Sequence, residues 1–262
     1  MQLQVHPSKA ELATTLCETL VKHSVEAIES NGVFLLAVSG GSIPKMLSLD
    51  NLTSAFASAG VRANLEKWVV FLADERIVSD DSLDSNLLAL RKDGFIGGLG
   101  GEEGRCKCYG IEGFGEKSPA EIAQAYEDDL ISALPKSGGK FDTVVLGMGE
   151  DGHTCSLFPG HDLVDNPKPG KMVDFITDSP KNPPERITLT MDVLNASRHG
   201  IFAAAGAGKA AVLGEIFVKE GKEYKFKQPR TTYPCGMVTT EDLVWLVDEA
   251  AAGGINKEDA KL

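Results

Sequence analysis

Residues Lys140–His161 read KFDTVVLGMGEDGHTCSLFPGH, and this stretch decides the fold. Phe141, Val144, Val145 and Leu146 form a short apolar run with two β-branched valines, the pattern of a strand buried on both faces. The run breaks at Gly147-Met148-Gly149, where glycine lets the backbone turn sharply and approach a ligand. Asp151, Gly152 and His153 follow at the carboxyl end of the strand, the edge where ligands bind in open α/β sheets. An imidazole with an ordinary pKa near ~6.5 is a natural proton acceptor at neutral pH, and Asp151 stands close enough in sequence to orient it. The glycines also fit G-x-G-x-x-G. That fingerprint carries weight only after a first strand and at the start of a crossover helix. Here Pro159-Gly160 and the later Asn166-Pro167-Lys168-Pro169-Gly170 cut any helix short, so the dinucleotide reading is set aside.

The same strand-then-break pattern recurs. Val33–Val38 runs into Ser39-Gly40-Gly41-Ser42, then Ile43-Pro44 and a helix starting near Lys45. Small residues before a helix start allow amides to cradle an anion, and proline fits the first helical turn. The G-K-[ST] of a Walker loop is absent. Trp68–Ala73 is a buried strand ending in Asp74-Glu75-Arg76, and His199–Ala205 ends in Gly206-Ala207-Gly208-Lys209 before a helix through Val218. Between these lie a strand at Met1–Val5 and a helix from the Ser8 cap, with Glu11 as capping-box partner, to Asn31-Gly32. A second long helix spans Pro119–Leu134; Met172–Thr177, Arg186–Thr190 and Leu243–Asp248 read as strands, and Tyr224–Pro234 as irregular. Gly94–Gly104 is a glycine-rich loop, a lid candidate whose plainer reading is a flexible insertion. Alternating strands and helices imply a mostly parallel sheet covered on both faces, in one α/β domain over residues 1–262. Neighbouring parallel strands would then gather the SGGS, DER, GMGEDGH and GAGK ends on one edge.

Composition narrows the function. The 262 residues carry a net charge of −12, with pI about 4.9, so no basic footprint for nucleic acid is present. An anionic ligand needs a local basic pocket, which Arg76 and Lys209 supply at the shared edge. No apolar run reaches the ~20 residues of a membrane span, and no signal-peptide core is visible at the N-terminus. Cys17, Cys106, Cys108, Cys155 and Cys235 read as free thiols of a reducing, cytoplasmic setting. His153 and His161 are the close histidines, and no third residue has convincing metal-ligand spacing, so neither metal nor cofactor is expected. The edge suits a small phosphorylated substrate and proton transfer.

The chain resembles 6-phosphogluconolactonases of the short, glucosamine-6-phosphate isomerase-like type. LAVSGGSIPKML, FLADERIVSDDSLDSN, VVLGMGEDGHTCSLFPG, RITLT and GAGKAAVL carry the resemblance, in that order, with LVWLVDEAAA near the end. It implies a Rossmann-like three-layer α/β/α sandwich of the NagB/RpiA-like kind. The implied activity is hydrolysis of 6-phospho-D-glucono-1,5-lactone to 6-phospho-D-gluconate in the oxidative pentose phosphate pathway. It further implies His153 as the general base, Asp151 as its support, and amides near Gly147 and Gly149 as oxyanion donors. Ser39, Gly40, Gly41, Ser42, Asp74, Arg76, Arg186 and Lys209 would hold the phosphate and polar groups. A phosphorylated sugar lactone is the implied partner of a monomer or weak homodimer. Cys155 departs from the family, which usually has a small residue such as alanine there. Two rivals remain. Glucosamine-6-phosphate deaminases resemble the chain in several motifs but carry a glutamate where Phe158 stands and DEY where Asp74-Glu75-Arg76 stands. A non-catalytic sugar-phosphate module is the other.

Overall fold

The computed structural model describes residues 2–97, 106–227 and 233–255. Most of the glycine-rich loop read as a lid candidate lies outside them.

The centre of the main sheet is built from apolar runs that leave no face for water. Its strands are β1 (Gln2–His6), β2 (Phe34–Val38), β3 (Trp68–Leu72), β5 (Lys107–Cys108), β6 (Thr143–Leu146), β9 (His199–Ala204) and β12 (Asp242–Asp248). Every residue of β2, β3 and β6 is buried, as parallel strands covered on both faces require. They lie in the order β1-β12-β9-β6-β2-β3-β5, each pair parallel. The four strands that end in SGGS, DER, GMGEDGH and GAGK are therefore contiguous: β9-β6-β2-β3. Chain order reverses between β2 and β6, which makes their carboxyl ends a topological switch point. Trp68, Phe34, Phe71, Phe202 and Trp245 fill the core around these strands.

Helices flank the sheet. The long α1 (Lys9–Asn31) begins where the Ser8 side chain accepts from the Glu11 amide and ends at Gly32, whose φ of 76° stops it. Leu12, Leu16 and Leu20 make its buried stripe. The remaining helices are α2 (Ile43–Met46), α3 (Leu49–Ala59), α4 (Asn86–Lys92), α5 (Pro119–Ala133), α6 (Asp162–Asp165), α7 (Met191–Ala196), α8 (Ala210–Ile216), α9 (Pro234–Met237) and α10 (Glu249–Ala252). A capping box between Ser118 and Glu121 opens α5.

Three features differ from the sequence reading. The helix expected near Lys45 is split: α2 is a single turn, and Ser48 caps a fresh start at α3. The runs at Val173–Ile176 (β7) and Arg186–Leu189 (β8) leave the main sheet and form an antiparallel one with Asp74–Arg76 (β4), in the order β4-β8-β7. The helix after Lys209 ends at Ile216; Phe217–Glu220 (β10) and Glu223–Phe226 (β11) form a hairpin in a region read partly as helix and partly as irregular. Phe217 and Phe226 stack across it at 4.8 Å.

Candidate active site

The carboxyl edge of the main sheet opens into a cavity of about 400 Å³. Ser39, Gly40, Gly41 and Ser42 after β2, Asp74 and Arg76 of β4, Gly147 and His153 after β6, and Lys209 after β9 all line it. These residues come from the ends of four neighbouring strands, which is why a sequence so dispersed converges. Among the described residues of its wall, Gly149, Asp151 and Arg186 are not included.

His153 is held by its neighbour. Its Nδ1 lies 2.5 Å from Asp151 Oδ1, which assigns the ring proton to Nδ1 and leaves the lone pair on Nε2. Gly149 makes the pair sterically feasible: a Cβ there would fall 2.0 Å from the His153 Nδ1 and 2.2 Å from Asp151 Oδ1. Its amide donates to the His153 carbonyl at 2.8 Å. Gly149 thus shapes the loop and spends its N–H inside it, which corrects its expected part as an oxyanion donor. The ring packs on Phe158 at 4.6 Å, and its side chain is only 17% exposed. This covered position differs from the exposed edge loop expected from sequence. Burial pulls the His153 imidazole below its ordinary range, and Lys181 adds to that; Asp151 and Asp74 pull the other way and lose. For Asp151, burial favours the neutral acid, but the bond and charge of His153 outweigh it and hold the carboxylate at about 2.

The DER segment is braced from beneath. Glu75 is buried, and its carboxylate accepts from the Arg76, Asn86 and Leu87 amides and from Ser85 Oγ. Burial raises its pKa against those bonds. The effect is to fasten the start of α4 to β4 and so to fix Arg76. Arg76 Nη1 donates to the Asp84 carbonyl at 2.7 Å, while its Nε is buried with no hydrogen-bond partner among the described residues. Asp74 Oδ2 accepts from Ser156 Oγ at 2.9 Å.

Arg186 is placed differently from the sequence expectation. It is 2% exposed, and its guanidinium donates to the Lys181, Asn182 and Pro183 carbonyls at 2.8, 3.2 and 2.9 Å. It sits directly opposite Arg76 in the β4–β8 register, and burial followed by the Arg76 charge pulls it below the usual guanidinium range. The carbonyls engage it, so it clamps a loop and does not line the cavity.

Two polar cavity residues escaped the sequence reading, and a third, Cys155, was noted there only as a departure from the family. Asn86 Nδ2 donates to the Asp74 carbonyl, and its side chain lies so close to Gly40 that a Cβ there would meet Oδ1 at 1.8 Å; it thereby couples the SGGS and DER loops. Glu150 lines the rim against Gly208. Cys155 lines the cavity with φ 54°, and burial pushes its thiol far above the ordinary range, so it is no nucleophile. A further cluster lies at the opposite edge of the sheet. Donor atoms of His23, His199 and Asp242 fall within 4.8 Å of one another, but the two rings stack at 3.9 Å and 19°, so their in-plane lone pairs run side by side and do not converge.

Residues 7–245 match the family described as glucosamine-6-phosphate isomerases/6-phosphogluconolactonase. The rat 6-phosphogluconolactonase is 36% identical over 257 residues, covering 95% of this chain and 92% of that one. Among solved structures, a 6-phosphogluconolactonase from Leishmania guyanensis aligns with a TM-score of 0.75 at 22% identity, covering 97% of this chain and 98% of that chain. A monomeric glucosamine-6-phosphate deaminase aligns with a TM-score of 0.69 at 17% identity, covering 97% of this chain and 100% of that chain. The fold is common to both activities, so the choice between them rests on the site.

Proposed function

Because the chain belongs to the glucosamine-6-phosphate isomerase/6-phosphogluconolactonase family, we propose that it hydrolyses 6-phospho-D-glucono-1,5-lactone to 6-phospho-D-gluconate, the hydrolytic step of the oxidative pentose phosphate pathway. The observation that carries this reading is the Asp151–His153 pair at 2.5 Å, whose ring lines a cavity that also holds Arg76 and Lys209. His153 Nε2 takes a proton from water as the oxygen attacks C1. The carbonyl becomes a tetrahedral oxyanion. Its collapse breaks the bond from C1 to the ring oxygen, and the imidazolium returns its proton to that oxygen. Asp151 stabilises the imidazolium in between. A positioned base contributes ~10²–10⁴-fold. Burial keeps the ring neutral near pH 7, so the base is available in its working form. Lys209, Arg76, the Ser39 and Ser42 hydroxyls and the Gly40, Gly41 and Ser42 amides bind the phosphate; the Ser39 amide is already spent on the Val145 carbonyl. The five cysteines are unpaired, in keeping with a cytosolic setting.

A deaminase is disfavoured at one position. Phe158, where that activity carries a glutamate, is fully buried and packs on the His153 ring. Two assays decide. Fresh lactone should be hydrolysed well above its spontaneous rate in a coupled assay, and glucosamine 6-phosphate should release no ammonia. Ammonia release without lactone hydrolysis would reverse the assignment, and lactone binding without turnover would make the chain a sugar-phosphate binding module.

A further inference from the structure

The Asp151 carboxylate has two oxygens, and His153 uses one. The other, Oδ2, lies 3.2 Å from Lys181 Nζ, across a pair whose side chains are 44% and 39% exposed. Lys181 comes from the proline-rich loop between β7 and β8. The loop is stiffened on each side of the lysine: the Lys181 amide donates to Ser179 Oγ at 3.2 Å, the Ser179 amide donates to the Pro184 carbonyl at 3.1 Å, and the buried Arg186 guanidinium grips three successive carbonyls at 181–183. Arg186 in turn belongs to β8, registered against the strand that carries Arg76.

We infer that Lys181 is a positioning residue for the proton-transfer pair: it clamps the free oxygen of Asp151 and thereby fixes the carboxylate plane that orients His153. The inference rests on the reading of His153 as the base. A carboxylate held at one oxygen can swing about its last torsion; held at both, it presents Oδ1 to Nδ1 in one geometry. The lysine also has an electrostatic effect. The charged groups acting on the ring are Asp151 and Asp74, which favour imidazolium, and Lys181, which opposes it, with Arg76, Lys209 and Glu150 on the same cavity wall. Lys181 therefore offsets part of the Asp151 field and keeps the ring neutral without removing its orientation. Arg186 acts one step further back, by holding the loop from which Lys181 reaches.

The test compares Lys181→Met and Lys181→Arg with the parent and with His153→Ala, measuring kcat, the pH dependence of kcat/KM, the NMR titration of the His153 ring, and the melting temperature. Lys181→Met should lower kcat about two- to fivefold, the scale of a half-exposed ion pair. Its His153 titration and the ascending kinetic limb should both move to higher pH, because a positive neighbour has been removed. Lys181→Arg should restore the parental values. Salt at ~1 M, where screening acts over ~3 Å, should move the parent toward Lys181→Met at saturating substrate. Parental kcat and an unmoved ring titration in folded Lys181→Met, with His153→Ala inactive, would reduce the contact to a surface ion pair and overturn the inference alone. A fall in melting temperature with neither kcat nor titration altered would do the same. Near-parental activity in His153→Ala would instead overturn the base assignment, and the ring titration in Lys181→Met would still show whether the clamp exists.

Discussion

Two of the protein's histidine–aspartate pairs lie at opposite edges of one parallel sheet, and their surroundings differ in what each ring faces. At the carboxyl edge, His153 and Asp151 meet at 2.5 Å beside a cavity of about 400 Å³. At the amino edge, His199 Nδ1 and Asp242 Oδ2 meet at 2.8 Å beside a hollow of about 180 Å³. There most of the neighbouring polar groups partner one another, although the Thr240 hydroxyl is buried without a partner among the described residues. His23 stacks on His199 and bonds Thr143 Oγ1 at 3.1 Å. Asp142 accepts from the Leu35 amide and from Arg198, tying the start of β6 to β2. At the carboxyl edge the His153 ring lines a cavity whose wall also carries Arg76 and Lys209. A histidine packed among partnered groups holds a structure together; one that lines an open cavity beside cations is placed for chemistry.

The comparison breaks first at the histidines. His153→Ala should lower kcat per folded molecule by about 10²–10⁴-fold, while His199→Gln should leave kcat per folded molecule at the parental value and change only the melting temperature. Equal losses of kcat in the two variants would erase the distinction. Next in size is the phosphate site. Lys209→Ala should raise KM for the phosphorylated lactone about 10–100-fold, the worth of a charged hydrogen bond, and leave KM for the unphosphorylated lactone nearly unchanged. Equal effects on both substrates would mean that Lys209 does not read the phosphate.

A smaller effect belongs to the amino edge, where protonation should register in stability and not in rate. His23 titrates at about 3 in the folded protein because burial, then the charges of His199 and Lys22, oppose its protonation against the pull of Asp242. In the unfolded chain it titrates near its ordinary value of ~6.5. Between those values the unfolded state holds the extra proton, so His23 costs stability progressively as pH falls below about 6.5, by at most about 1.4 kcal/mol per pH unit. Denaturant melts of the parent and His23→Asn from pH 7 to 4 should diverge, with the variant less acid-sensitive. Parallel curves would contradict the assigned burial effect.

The two edges were not equally readable. Strand ends that break into glycines or charges announce themselves locally, because a buried parallel strand is a continuous apolar run and its terminus is abrupt. That is why SGGS, DER, GMGEDGH and GAGK could be gathered on one edge from sequence. What depends on pairing at a distance was hidden. Nothing near Arg186 says that β8 turns antiparallel onto β4, or that its guanidinium meets three carbonyls. Lys181 is one of 26 Lys and Arg residues, with no local pattern to mark it. Asn86 and Gly40 come together only when β2 and α4 are packed. From sequence Asp151 alone is expected to raise the His153 pKa; the net lowering comes from burial of the ring, which depends on packing at a distance.

The central claim is that the His153 imidazole, oriented by Asp151 and kept neutral by burial, accepts the proton from water. The most direct measurement is the pH dependence of kcat/KM set beside the NMR titration of the His153 ring in the same buffer. Both the phosphorylated and the unphosphorylated lactone should be used, so that ionisation of the substrate phosphate is separated from that of the protein. One ascending limb is expected, common to both substrates, with a midpoint below ~6.5 that coincides with the ring titration. A limb whose midpoint departs from the ring titration, or a profile that stays flat while His153 changes charge, would contradict it.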